Sequence, residues 1–332
     1  MTVRLRVEAA GSLTSVQDAG RRGALRFGAP RSGPVDPFAF AAALTAAEPD
    51  CGTAIEVSLG GLTLTCLEGE IGFALCGAGF TGEVNGRMIG AWQRAVLGPG
   101  QRLRIRHGGG NWACLAFSGA TTAPHWLGSR ATHALSGLGG GMVRAGDVLE
   151  YRAARTPEPA ALAAPAALPD DPIGIVLGPQ ERFFAAAALE QLCTAPFTAS
   201  GTFDRMGRVL EGPPLVPLRL DMPSEPALPG CLQLTGDGRM TMLMADHQTT
   251  GGYPKIATVI RADLARLAQL DGGTALRFEA VSTEEATARL RRHLAAQTQA
   301  LRRLVPAANL AERLSGQNLV GGVIDALDGD ET

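Results

Sequence analysis

Of the 30 lysines and arginines in this 332-residue chain, one is a lysine, Lys255. Arginine replaces lysine readily at a surface position, so a single survivor points to a role that arginine does not fill. Lysine offers a compact ammonium whose pKa shifts on burial and which reaches one oxygen, where arginine presents a planar fork that stays charged. Lys255 closes the run Asp246-His247-Gln248-Thr249-Thr250-Gly251-Gly252-Tyr253-Pro254-Lys255-Ile256. Lys255 would supply the charge of a site on this run, with Asp246 and His247 as further polar groups in it. Gln248, Thr249, Thr250 and Tyr253 add polar contacts for a substrate, and Gly251 and Gly252 let the backbone approach a flat or anionic ligand. The same residues also allow a tight turn in which Lys255 makes a surface ion pair.

A second cluster, Asp204-Arg205-Met206-Gly207-Arg208, lies in a glycine-flanked turn. Arg205 or Arg208 suits a bidentate clamp on carboxylate or phosphate, and an Asp204–Arg205 salt bridge within the loop is equally compatible. A third, Gln17-Asp18-Ala19-Gly20, opens a long Gly/Pro-bracketed loop around Phe27 and offers Gln17 and Asp18 as further binding groups. The glycine clusters Gly108–Gly110 and Gly137–Gly141 lack a following Lys-Ser/Thr, so neither is a Walker-type phosphate loop. No metal-ligand spacing is present, and His107, His125, His133 and His293 are isolated.

The elements that must hold these groups are mainly strands. Apolar runs at 54–58, 62–66, 71–75, 103–107 and 113–117 recur about every ten residues with glycine turns between them, the spacing of a barrel or sandwich. Asp36-Pro37 opens a helix over 38–47, with Asp36 as cap and Pro37 at its first position. Residues 1–155 are expected to form one β-rich lobe, 156–171 an Ala/Pro linker, and 172–282 a second lobe. That second lobe should hold strands at 173–177, 240–245, 257–260 and 275–279 and helices at 180–192 and 262–270. A helix and tail follow over 283–332, the helix amphipathic across 283–305.

With 45% hydrophobic residues the chain can bury a large core, while a net charge of −2 and 5% aromatics argue against a nucleic-acid partner. No apolar stretch is long enough for a membrane span and the N-terminus reads as a strand, so a cytoplasmic protein is expected. The six cysteines form no CxxC pair and read as buried free thiols.

The block from Met244 through Ile256 continues to Ala262-Asp263-Leu264 and Arg266-Leu267-Ala268-Gln269. Together with Thr14-Ser15-Val16-Gln17-Asp18, Val35-Asp36-Pro37-Phe38-Ala39, Gly128-Ser129-Arg130 and Asp204-Arg205-Met206-Gly207, it resembles the biotin-dependent carboxyltransferase-domain family. The members it resembles are the C component of 5-oxoprolinase and the second component of allophanate hydrolase, also described as kinase-inhibitor antagonists. The resemblance implies two cyclophilin-like β-barrel lobes in a mainly β chain with peripheral helices. It implies a partner of the 5-oxoprolinase B-component type that completes the site, and a third, lactamase-type component. It further implies ATP shared with those partners and a small-molecule amide substrate, the lactam of 5-oxoproline, opened to glutamate. Two alternatives stay open: a carboxyltransferase component using carboxybiotin on urea or an amide, and a non-catalytic regulatory binder of a B-component or kinase-inhibitor-type protein. The chain departs from the family pattern at Ala43 to Glu48, Ser118-Gly119-Ala120 and Ala131, so the first lobe has drifted more than the second.

Overall fold

The computed structural model describes residues 2–48, 52–153, 158–164, 171–178 and 180–304. The protein is mostly β, and its sheets include a nearly closed barrel.

The first lobe is two sheets packed face to face. One orders its strands Gly119–Thr121, Val148–Ala153, Thr2–Ala10, Leu62–Glu68, Arg102–Arg106, Thr81–Val84 and Arg87–Ile89. The other runs Ala160–Ala161, Gln93–Leu97, Ile71–Gly77, Ala113–Phe117, Ala54–Val57 and Ser15–Gln17. Thr2–Ala10 shows the expected alternation: Val3, Leu5 and Val7 point into the core while Arg4, Arg6 and Glu8 face water. Ile71–Gly77 is buried throughout because both of its faces are covered. Phe73 and Leu75 join the core between the sheets, and Ala74 and Cys76 pack under the helix Pro37–Ala47. That helix begins where Asp36 accepts from Phe38 N (3.1 Å) and Ala39 N (3.0 Å), and its buried alanines let it lie close on the strand.

The second lobe is one eight-stranded sheet. Its order is Ala275–Leu276, Phe197–Phe203, Gly207–Glu211, Met240–Leu243, Cys231–Leu234, Lys255–Val259, Ile173–Leu177 and Phe278–Ala280. Of its pairings only Ile173–Leu177 with Phe278–Ala280 is parallel. A two-stranded ladder, Glu225–Pro226 with Thr250–Gly251, stands beside it. The helix Thr283–Leu304 crosses back to the first lobe, where Leu301 and Leu304 join the cluster around Pro37–Ala47.

Several elements differ from the sequence expectation. Within the segment read as a linker, Ala160–Ala161 add an edge strand against Gln93 and Arg94, and Leu162 is buried beside them. The helix expected over 180–192 is a single 3-10 turn, Glu181–Phe183, followed by a helix only from Ala186 to Thr194. The segment's helix formers do not hold one continuous helix, because Gln180 and Phe184 are drawn into the lobe. The strand expected from residue 257 begins at Lys255, so the lysine is part of the sheet. Cys66, Cys76, Cys114 and Cys231 are buried free thiols and Cys193 is partly buried, while Cys51 and the tail 305–332 lie outside the described residues. No described helix is long and apolar enough to cross a membrane.

Candidate functional site

The polar run leaves the strand Met240–Leu243 through a turn closed by His247 N to Met244 O (3.2 Å) and Asp246 N to Arg205 O (2.7 Å). The His247 ring is buried, and its Nδ1 lies 2.7 Å from Gln248 O. A carbonyl only accepts, so Nδ1 carries the proton and the neutral ring presents its lone pair at Nε2. Burial lowers the His247 pKa, against the opposing pull of the Gln248 carbonyl and Asp246, which keeps the ring neutral near pH 7. Gln248 then donates to Gln233 Oε1 (2.8 Å), Ala227 N donates to Thr249 O (3.0 Å), and Thr250 and Gly251 join the small ladder with Glu225–Pro226. Tyr253 faces outward, 51% exposed.

Lys255 sits at the inner end of this loop. It is 5% exposed, its register partner across the sheet is Gln233, and its backbone N–H donates to Gln180 Oε1 (2.7 Å). Gln180, fully buried, donates in turn to the Glu225 carboxylate. The ammonium itself has only long contacts, 3.5 Å to Gly251 O and 3.5 Å to Tyr253 O. None of the ion pairs among the described residues involves it. An ammonium has three donors, and burial without a counter-charge is costly. The Lys255 ammonium is thus buried with two long carbonyl contacts and no ion pair among the described residues.

Arg205 is the opposite case. It is fully buried and bonded to the Glu56 carboxylate, to both oxygens of Asp246 (Nε 3.1 Å, Nη2 3.2 Å) and to Gly33 O (2.6 Å). Burial alone would lower its pKa, and Glu56 and Asp246 more than reverse that, holding the guanidinium above its ordinary value. Asp246 also accepts from Ala134 N (2.8 Å), and Glu56 from Val35 N (2.6 Å). Since Glu56, Gly33 and Ala134 belong to the first lobe, this node ties the lobes together rather than opening onto a cleft. Arg205 and Asp246, both expected as site groups, have their charged atoms taken up by it. Arg208 is likewise buried: it donates to Ala268 O (3.0 Å) and Ser200 O (3.1 Å), lies 5.2 Å over the Phe203 ring, and is pushed down to about 10 by burial.

The other candidates hold loops. Asp204 does not pair with Arg205; its Oδ1 accepts from Met206 N (2.7 Å) and Gly207 N (3.0 Å) and shapes the turn. Asp18 accepts from Gly20 N (2.9 Å), Ser129 Oγ (2.7 Å) and Arg130 N (2.5 Å), stapling two loops. Gln17 is buried between Ser15, Thr132 O and Gly33 N. The Gly108–Gly110 cluster serves close backbone packing, since a Cβ at Gly108 would stand 1.8 Å from Gly79 O.

The structure thus gathers Lys255, His247, Gln248 and Thr249 to Tyr253 along one loop, and places Gln17, Asp18, Asp204, Arg205 and Asp246 in the framework behind it. Sequence reading missed Gln180, Gln233 and Glu225, which lie 75, 22 and 30 residues before Lys255 with no local pattern linking them. It also missed Glu56, whose signal was present: a carboxylate at the centre of an apolar strand, Ala54–Val57.

The carboxyltransferase domain, subdomain A and B, matches residues 27–280. The C component of the 5-oxoprolinase of Escherichia coli K12 is 32% identical over 290 residues, covering 85% of this chain and 93% of that protein. The corresponding 5-oxoprolinase component of Haemophilus influenzae is 33% identical and covers 90% and 97%. Among solved structures, TTHA0988 superposes with a TM-score of 0.75 at 31% identity, and this chain spans 56% of its length. The urea amidolyase of K. lactis superposes with a TM-score of 0.79 at 26% identity over 90% of this chain and 20% of its own. On these matches the chain belongs to the carboxyltransferase domain family, subdomains A and B.

Proposed function

We propose that this chain is the C component of an ATP-dependent 5-oxoprolinase, in which Lys255 holds an oxygen that becomes anionic as the lactam of 5-oxoproline opens to glutamate. The observation that carries this reading is the buried, unpaired ammonium of Lys255. The relatives named as 5-oxoprolinase C components support it over nearly their whole length. A lactam carbonyl is a weak electrophile, and a buried cation beside its oxygen is worth about 3 kcal/mol of the barrier. His247 Nε2 would accept or hold a proton, and the Gln233–Gln248 pair would orient the substrate by hydrogen bonds.

In this reading ATP is shared with partner proteins, because neither glycine cluster is a phosphate loop. Met222, Ser224 and Glu225–Pro226 lie against Thr250 to Gly252, and the same segment of chain exposes Val216, Leu218, Leu220 and Leu228, apolar surface that suits a B-component partner. A carboxyltransferase acting on urea or an amide through carboxybiotin is the second reading, favoured by the family match and the urea amidolyase structure. There Lys255 would hold the transferring carboxylate.

The test is co-expression with a B-component and a lactamase-type protein, followed by glutamate release from 5-oxoproline with and without ATP. ATP-dependent release that is lost in Lys255→Met supports the proposal. A complex that ignores 5-oxoproline but carboxylates urea from carboxybiotin replaces it with the second reading.

A further inference from the structure

We propose that the groove between the two lobes and the C-terminal helix binds a small amphipathic oxyanion: a carboxylate or phosphate monoester on a short aliphatic body. The cavity has a volume of 310 Å³, at the low end of the about 300–1,000 Å³ of small-molecule sites. Its walls are largely apolar and come from three elements: Val35 and Phe40 from the first lobe, Met244 and Leu264 from the second, Leu290 and Leu294 from the helix Thr283–Leu304, which also contributes the bonded pair His293–Gln297. None of the residues from Asp246 to Lys255 lines it, so this site stands or falls apart from the lactamase reading.

Three polar groups mark one end. Ser32 lines the cavity and is 7% exposed, yet its Oγ has no hydrogen-bond partner. Its backbone is held at φ 54°, a left-handed conformation that is strained for serine and persists where the surroundings impose it. A buried hydroxyl left without a partner costs free energy that a ligand oxygen recovers. Arg31 and Arg261 stand beside it at the mouth, both exposed. Arg31 donates one bond to Ala19 O (3.2 Å), and neither arginine takes part in any ion pair among the described residues. Desolvation and the neighbouring charges of Arg261 and Arg22 lower the Arg31 pKa, so two like charges are held together without a counter-ion. An oxyanion between them accepts from both forks and from Ser32, while an aliphatic body covers the apolar wall.

The experiment is calorimetric titration of the full chain with octanoate, octyl phosphate and octanol, repeated on Arg261→Ala and Ser32→Gly. Glycine tolerates the left-handed backbone, so Ser32→Gly removes the hydroxyl with the fold retained, which a melt verifies. At least one oxyanion should bind about tenfold or more tightly than octanol and weaken about tenfold in Arg261→Ala, with a smaller loss in Ser32→Gly. The tighter of the two anions identifies the headgroup. Octanol binding as well as either anion, no binding of either anion, or affinity unchanged in both variants would overturn the proposal.

Discussion

Arg205 and Lys255 are both buried near one polar loop, and their surroundings are opposed. Arg205 is enclosed by two carboxylates and a carbonyl, its charge matched from both lobes. Lys255 is nearly as deep, and its ammonium has two carbonyls at 3.5 Å and no ion pair among the described residues. Burial alone does not separate structure from chemistry. The donors of Arg205 end on carboxylates and a carbonyl, whereas the Lys255 ammonium meets no carboxylate among the described ion pairs, and under the proposed function the substrate supplies that charge.

Removing each cation should therefore have different consequences. Arg205→Met leaves Glu56 and Asp246 buried without a counter-charge and should cost about 3–5 kcal/mol in a urea melt. Adding Glu56→Gln should restore part of it, and a single variant as stable as the parent would end the comparison. Lys255→Met should leave stability unchanged or slightly raised, since it removes a buried charge that no described ion pair offsets. The same variant should lower ATP-dependent 5-oxoproline turnover of the reconstituted complex about 10²–10³-fold. Equal losses of stability at the two positions would make Lys255 a second fastener.

A neutral tie sharpens the scale. Gln269 accepts from Asn111 N (2.8 Å) and Trp112 N (2.9 Å) and donates to Trp112 O and Asp36 (both 2.8 Å), spanning the lobes without net charge. Gln269→Ala orphans those groups and should cost about 1–3 kcal/mol, less than Arg205→Met.

The smallest effect is a pH dependence. The folded pKa of His247 lies below its ordinary ~6.5, so above that value its neutral form contributes full stability. As pH falls through ~6.5 toward the folded value, the unfolded chain takes up the proton first and that stability is lost. His247→Asn, which does not titrate, should show a smaller drop in Tm between about pH 7 and about pH 5. Parallel curves for the two proteins would place the acid sensitivity elsewhere.

The sequence was most legible where physics is local. Asp36-Pro37 announces its helix within four residues, and the alternation of Thr2–Ala10 needs no partner to be read. It failed where partners are distant. Asp204 stood next to Arg205 and looked like its mate, yet the carboxylates that bind Arg205 lie 149 and 41 residues away. The helix formers from 180 onward promised one helix, and Gln180 was instead recruited to Lys255 across 75 residues. The loop that carries Lys255 stood out because its residue types are unusual; that its ammonium is buried without a described ion pair is a property of the assembled structure.

The Glu56–Arg205 contact also has a timetable. Glu56 leaves the ribosome with the first lobe, and its partner follows 149 residues later, roughly 7–30 s at about 5–20 residues per second. From the time its last strand, Ala160–Ala161, is made until Arg205 follows, the first lobe holds that carboxylate with no guanidinium to meet it. The lobe must wait hydrated at that point or carry Glu56 protonated, the direction in which burial already pushes it. Arrival of Arg205 then gives Glu56 its counter-charge, so a strong bond of the first lobe is delivered by the second.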